Sequence, residues 1–233
     1  MRTPTTILTI LFLIVAASLA LSVNVAQAQE ASVTITWQLS TNVTGDGTGT
    51  ILTVDGRSYT QSELSKGLAL NDAAGSAGHT VLVTTPIAAG PTKRYVFSAW
   101  TGPPLGVSAM SPNGTFTWPT NSSTVTANYV TQYLQTLSYG VSGGGTPSAP
   151  SFTANQLGSP FSQILTTSAT GYYFDSGSSW TVSPNPLTGS GNSERWQSNQ
   201  TLNGTIAYHL LPSFFDEFLL HDCWWRFTYS SDC

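Results

Sequence analysis

The chain is poor in charge and nearly devoid of cysteine. Asp, Glu, Lys and Arg together make up 8% of its 233 residues, about a third of the ~25% found in ordinary soluble domains. Seven Lys and Arg stand against eleven Asp and Glu, for a formal net charge of −4. No basic patch exists to neutralise phosphates, which excludes nucleic acid as a partner. Helix-favouring Lys, Glu and Arg are sparse and only two methionines occur, so helices are disfavoured. The cysteines are Cys223 and Cys233 alone. A disulfide between them would close only a small loop, and everything upstream must be held by its core and its backbone ladders.

Sequence signals for chemistry are equally scarce. Gly140-Val141-Ser142-Gly143-Gly144 has the G-x-S-x-G spacing but runs on into Gly145-Thr146-Pro147 rather than into a helix, so it is no nucleophile elbow. Gly143-Gly144-Gly145 is followed by neither the lysine nor the helix of a phosphate loop. Metal sites need several convergent ligands, and His79, Asp55 and Asp72 form no motif with ligand spacing. Asp55 and Asp175 are each explained as turn residues. The expectation is therefore no catalytic residue, no cofactor and no metal.

What is present is a leader and a great deal of alternation. Arg2, the apolar run Ile7 to Val23 and the Ala26-Gln27-Ala28 box before Gln29 read as a cleaved signal peptide over residues 1–28. The mature chain would then be extracellular or at the cell surface, with no membrane span left after cleavage. Beyond it, Val33, Ile35, Trp37 and Leu39 alternate with polar residues as a half-buried strand does. Thr50–Val54 and Arg57–Thr60 flank Asp55-Gly56, which predicts a two-residue hairpin turn with both residues at positive φ. Further strands are expected at His79–Thr84, Arg94–Trp100, Thr115–Trp118, Thr124–Val130 and Tyr133–Tyr139, with one short helical turn within Ser62–Leu70.

The chain also repeats itself. Gly75-Ser76-Ala77-Gly78-His79-Thr80-Val81 matches Ser176-Gly177-Ser178-Ser179-Trp180-Thr181-Val182, Pro86-Ile87 matches Pro186-Leu187, and Arg94-Tyr95 matches Arg195-Trp196. This places β-repeat unit one at 31–130 and unit two at 131–216, all-β modules of β-grasp-like or β-sandwich type in tandem. Phe214 to Leu219 resembles the start of the phrase at Thr131, but the tail that follows, with Trp224-Trp225-Arg226, fits nothing upstream. Read one nucleotide later, its codons allow a Gly-Gly-Gly-Ser-Pro phrase. Residues 217–233 are accordingly expected to be an aborted third repeat with a frameshifted end, and the chain a truncated piece of a longer repeat protein.

Val54-Asp55-Gly56, Gly78-His79-Thr80-Val81, Arg94-Tyr95-Val96-Phe97, Trp100-Thr101-Gly102 and Thr126-Ala127-Asn128-Tyr129 together resemble the divergent internalin-B-type repeat, or bacterial-repeat, family. The resemblance implies small β-modules of bacterial and archaeal surface proteins, built from packing and turn motifs without catalytic residues. In unit two, Gln197-Ser198-Asn199 stands where the pattern wants Val-Phe. The function expected is an exported, non-enzymatic structural or adhesive surface protein. Its partners would be neighbouring repeats, cell-envelope components or polysaccharide. The alternatives are a carbohydrate-binding module using Tyr172, Tyr173 or Trp180, and an accessory region of an exported hydrolase. Candidate glycosylation sequons begin at Asn42, Asn113, Asn121, Asn199 and Asn203.

Overall fold

The computed structural model describes residues 31–45, 49–102, 106–141, 146–190, 195–198, 201–207 and 226–229. The first unit begins with β1 (Ser32–Leu39), β2 (Thr50–Val54) and β3 (Arg57–Thr60), followed by the one-turn helix α1 (Gln61–Leu64). Next come β4 (Leu68–Ala73), β5 (His79–Val83), β6 (Ile87–Ala88), β7 (Lys93–Thr101) and β8 (Asn113–Phe116). The long β9 (Ser123–Leu137) leads into β10 (Gly140–Val141), β11 (Ser151–Gln156), β12 (Ser159–Ile164) and β13 (Thr170–Asp175). The remainder is β14 (Ser179–Ser183), β15 (Trp196–Ser198), β16 (Asn203–Thr205) and β17 (Arg226–Tyr229). The fold is all-β and sandwich-like.

One sheet runs β4-β1-β9-β7-β6, with β13 added along the far half of β9. A second runs β3-β2-β5-β8, a third β12-β11-β14-β16, and a fourth β10-β17-β15. The first two enclose one core. Trp37 from β1, Val54 from β2, Val83 from β5, Tyr95 and Phe97 from β7, Phe116 from β8 and Tyr129 from β9 are all buried in it. Alternation makes this possible, because successive side chains of a strand face opposite ways. Trp37 meets Trp100 and Phe116 edge-on at centroid distances of 6.0 and 5.9 Å, a geometry favoured by the ring quadrupoles. A separate core gathers Leu137, Phe152, Phe174, Trp180, Leu187, Trp196 and Ile206.

The hairpin forms as the sequence predicts. Val54 pairs with Arg57, and Asp55 and Gly56 take φ of 49° and 76°. Leu157 and Gly158, at 50° and 75°, make the same turn between β11 and β12, although Leu157 gives no sequence cue for it. Two expectations differ from the structure. The helical segment stops at Leu64 and strand β4 takes over at Leu68, because Gly67 turns the chain at φ +80°. The strands placed at Thr124–Val130 and Tyr133–Tyr139 are one: β9 runs unbroken from Ser123 to Leu137, since Val130-Thr131-Gln132 holds no proline or glycine to break it, and the run of buried positions shifts phase there from Tyr129 to Gln132.

The repeat is visible atom by atom. Ser76 and Ser178 each donate through N and Oγ to the carbonyl three residues back, Ala73 and Asp175. Gly75 and Gly177 donate to Trp118 and Ile206, which return bonds to Ser76 and Ser178. Phe97 N–H donates to Thr85 Oγ1 at 2.9 Å, and Ser198 N–H to Asn185 Oδ1 at 3.0 Å. Tyr95 faces Ile87 across the sheet, and Leu187 donates to the Trp196 carbonyl. Ser198 therefore occupies the buried place of Phe97. Among the tail residues, β17 pairs antiparallel with β15 and parallel with β10. Those are the orientations in which β9 pairs with β7 and β1.

Candidate functional site

Two polar clusters stand out, and the first has the atom order of a hydrolytic triad. Ser76 Oγ lies 2.9 Å from His79 Nε2, and His79 Nδ1 lies 2.8 Å from Asp55 Oδ2. Asp72 Oδ2 approaches Nε2 at 3.6 Å. Geometry alone would admit nucleophilic chemistry, but Ser76 Oγ already donates its proton to Ala73 O at 2.9 Å. Ser178 makes that bond in unit two, where Trp180 holds the place of His79 and no base exists. The hydroxyl is thus a turn element in both units. His79 also packs its ring on Phe116 and Trp118, with centroids at 5.3 and 5.1 Å, and acts as a tie between the hairpin tip and β4. Burial raises the Asp55 pKa, yet hydrogen bonds from His79 and Thr80 outweigh it and hold the carboxyl below its ordinary value.

The second cluster sits where the two cores meet, on the continuous strand β9. Gln132, buried at 1% exposure, accepts from Arg94 Nε through Oε1 at 2.9 Å and donates through Nε2 to Asp175 Oδ1 at 2.8 Å. The same carboxylate accepts from the hairpin tip: Leu157 N–H at 2.9 Å to Oδ1 and Gly158 N–H at 2.7 Å to Oδ2. Arg94 lays its guanidinium over the Tyr173 ring, 4.0 Å from the centroid, a cation–π contact. Gln156 Nε2 closes the set by donating to Tyr173 O at 2.8 Å. A buried carboxylate is tolerable only when its oxygens are satisfied, and here three donors from two different elements satisfy it. Asn42 adds a further clamp, donating to Tyr129 O at 2.7 Å and to Thr131 Oγ1 at 3.3 Å.

The chemistry of this arrangement is mechanical. Arg94 belongs to the first unit, Asp175 and Tyr173 to the second, and Gln132 lies on the strand that pairs with β7 of the first and β13 of the second. No group in it is both exposed and unspent. Sequence reasoning gave Asp175 a turn role, which its carbonyl does fill, but missed its carboxylate. Arg94 and Gln132 were invisible as a pair, because their contact follows from the register of β7 on β9, where they stand opposite.

The other sequence candidates fall elsewhere. Asn113 lies exposed on β8, with its Oδ1 accepting from Ser111 Oγ. Asn121 sits exposed in the turn before β9, and Asn203 is exposed on β16. Asn42 is committed to β9, and Asn199 lies outside the described residues. Of the aromatics considered for sugar stacking, Trp180 is buried and stacked on Phe152 at 17°. Tyr172 packs on Phe161 and Phe174, and Tyr173 is covered by Arg94. Among the described residues no row of exposed aromatics is formed, and no group of three or more His, Cys, Asp or Glu could hold a metal. No helix among them is long and apolar enough to cross a membrane.

Register, turns and core of the first unit all belong to a repeating β-module. Residues 65–132 match the divergent InlB B-repeat domain. The match runs from α1's end through the middle of β9, and so includes Arg94 and Gln132 of the joint but not Asp175. The InlB-type segment also holds Trp100 and Phe116, buried in the first core, and His79, whose ring packs on Phe116. Comparison with curated proteins and with solved structures gave no match. The matched domain suggests a surface-associated repeat module.

Proposed function

We propose that this chain is an exported, non-enzymatic structural protein of the cell surface, whose β-units are locked in succession to space or display what they carry. The observation that carries the reading is the joint. A single strand that pairs with β7 of the first unit and β13 of the second, with an Arg94–Gln132–Asp175 chain of hydrogen bonds across it, fixes one unit against the next without a linker. An adhesive role would use the polar outer faces, with neighbouring repeats, envelope components or polysaccharide as partners. Asn113, Asn121 and Asn203 are the sequons whose exposure suits a glycan; Asn42 would have to abandon its clamp on β9. The residue-1–28 leader supplies export, and 31–130 and 131–216 are the proposed unit spans.

The test is protease treatment of intact cells expressing the chain with its leader. Loss of the protein without release of cytoplasmic markers is expected, and protection until the cells are lysed would overturn the surface reading. The locked joint is read separately by hydrogen exchange. Amides of Thr131 to Leu137 should exchange as slowly as those of β7, and fast exchange confined to them would reveal a hinge.

A further inference from the structure

We propose that Arg195 is the second unit's copy of Arg94, and that the face around it is a docking surface for another β-unit of this kind. The inference rests on the structural reading above and adds to it a surface, a residue and a partner.

The correspondence comes from register. Arg94 precedes Tyr95, whose ring is buried and which stands opposite Ile87 and Thr131. Arg195 precedes Trp196, which is likewise buried, receives the Leu187 N–H and stands opposite Tyr229 of β17. Phe97 and Ser198, two residues after the arginine's neighbour in each case, both donate to the side chain before a proline. Side chains alternate along a strand, so an inward Trp196 turns Arg195 outward on the face that Arg94 uses. Arg195 is exposed.

Arg94 is instead half-covered, and what covers it is the next unit. Tyr173 takes its guanidinium face and Gln132 takes Nε. Those groups are supplied by a strand that continues past the residue opposite Tyr95, and by a neighbouring strand bearing Tyr173-Phe174-Asp175. Tyr229 of β17 occupies the place of Thr131, the last residue of β9 before the joint begins. A following unit would thus need a glutamine at the next position and an aromatic two residues before a carboxylate on its β13-like strand. A guanidinium suits this role because it is planar, always charged, and can stack and donate at once. The partner chemistry is that of a further copy of this module, rather than of a sugar or a peptide.

The experiment extends the full chain. A second copy of Thr131–Tyr229 is joined directly after Thr228, and the parent, Arg94→Ala and Arg195→Ala forms are unfolded in denaturant with and without the extension. In the extended chain Arg195→Ala is expected to lower the folding equilibrium of the added unit roughly five- to tenfold, as loss of a stacked, hydrogen-bonded arginine should. In the unextended chain it should change nothing measurable. Arg195→Lys, which keeps charge but cannot stack a planar group, should recover only part. Equal midpoints for extended parent and extended Arg195→Ala would overturn the proposal, as would an added unit that fails to fold beside intact units one and two. If Arg94→Ala is itself silent in the unextended chain, the locked-joint reading falls with it. If only Arg195→Ala is silent, the joint stands and the second docking surface does not.

Discussion

The two units fill equivalent positions with different chemistry. Phe97 becomes Ser198, and His79 above Phe116 becomes Trp180 above Gly204, where a Cβ would come within 2.8 Å of the Trp180 indole nitrogen. Asp55, half-exposed at the first hairpin tip, has no counterpart in the second, whose longer hairpin instead folds its tip onto the buried Asp175. That carboxylate ties the second unit to β9. Burial is additive and tolerant, whereas a satisfied buried network depends on every member.

That contrast can be broken at its strongest point first. Trp100→Ala should destabilise unit one by about 3–5 kcal/mol, since it removes a buried aromatic and leaves a cavity. Tryptophan-monitored denaturation should show the first transition lost while the second persists; equal loss of both would mean that the cores are not separable. Next, Asp175→Ala leaves the Leu157 and Gly158 N–H groups and Gln132 without their acceptor. It should cost unit two about 2–3 kcal/mol, against a much smaller effect of Asp55→Ala in unit one. The same denaturation series checks it, and a reversed order would refute the division of labour.

Gly56→Val and Gly158→Val probe the turns that both units share. A β-branched residue resists positive φ, at roughly 1–2 kcal/mol, so both variants should lower the thermal midpoint similarly. The indoles offer a finer comparison inside unit one. Trp118 Nε1 donates to Val33 O at 2.7 Å, while Trp37 Nε1 is buried without a partner. Trp118→Phe should therefore cost about 1 kcal/mol more than Trp37→Phe, because it also orphans a carbonyl. The smallest effect is one of pH. Asp55 has a folded pKa below its unfolded one, so its contribution is present above about pH 3.9 and fades as pH falls through the folded value. Asp55→Asn should flatten that part of the acid limb of unit one and leave unit two's unchanged.

Much of the molecule was legible in the chain. Alternation gave most strands of unit one, though not β4 or β6, Asp55-Gly56 gave its hairpin, and the paired phrases around His79/Trp180 and Pro86/Pro186 gave the repeat. These are local properties: a period of two and a residue tolerant of positive φ act over a few positions, so they survive reading without a fold. The Leu157-Gly158 turn was harder, because leucine enters that conformation only when the surrounding strands and the Asp175 carboxylate hold it there. The seam at Thr131 was harder still, since the repeat boundary in sequence falls inside a single strand in space.

Sequence by itself determined that this is an all-β protein of repeated units with almost no polar chemistry to offer, because composition and periodicity decide which surfaces can be buried. Only the tertiary structure decided what its few charged residues do. Arg94, Gln132 and Asp175 are 38 and 43 residues apart along the chain. Their meeting depends on the register of β7 on β9 and of β9 on β13. Register is a property of packed sheets, set by which faces are buried together, and no single segment contains it.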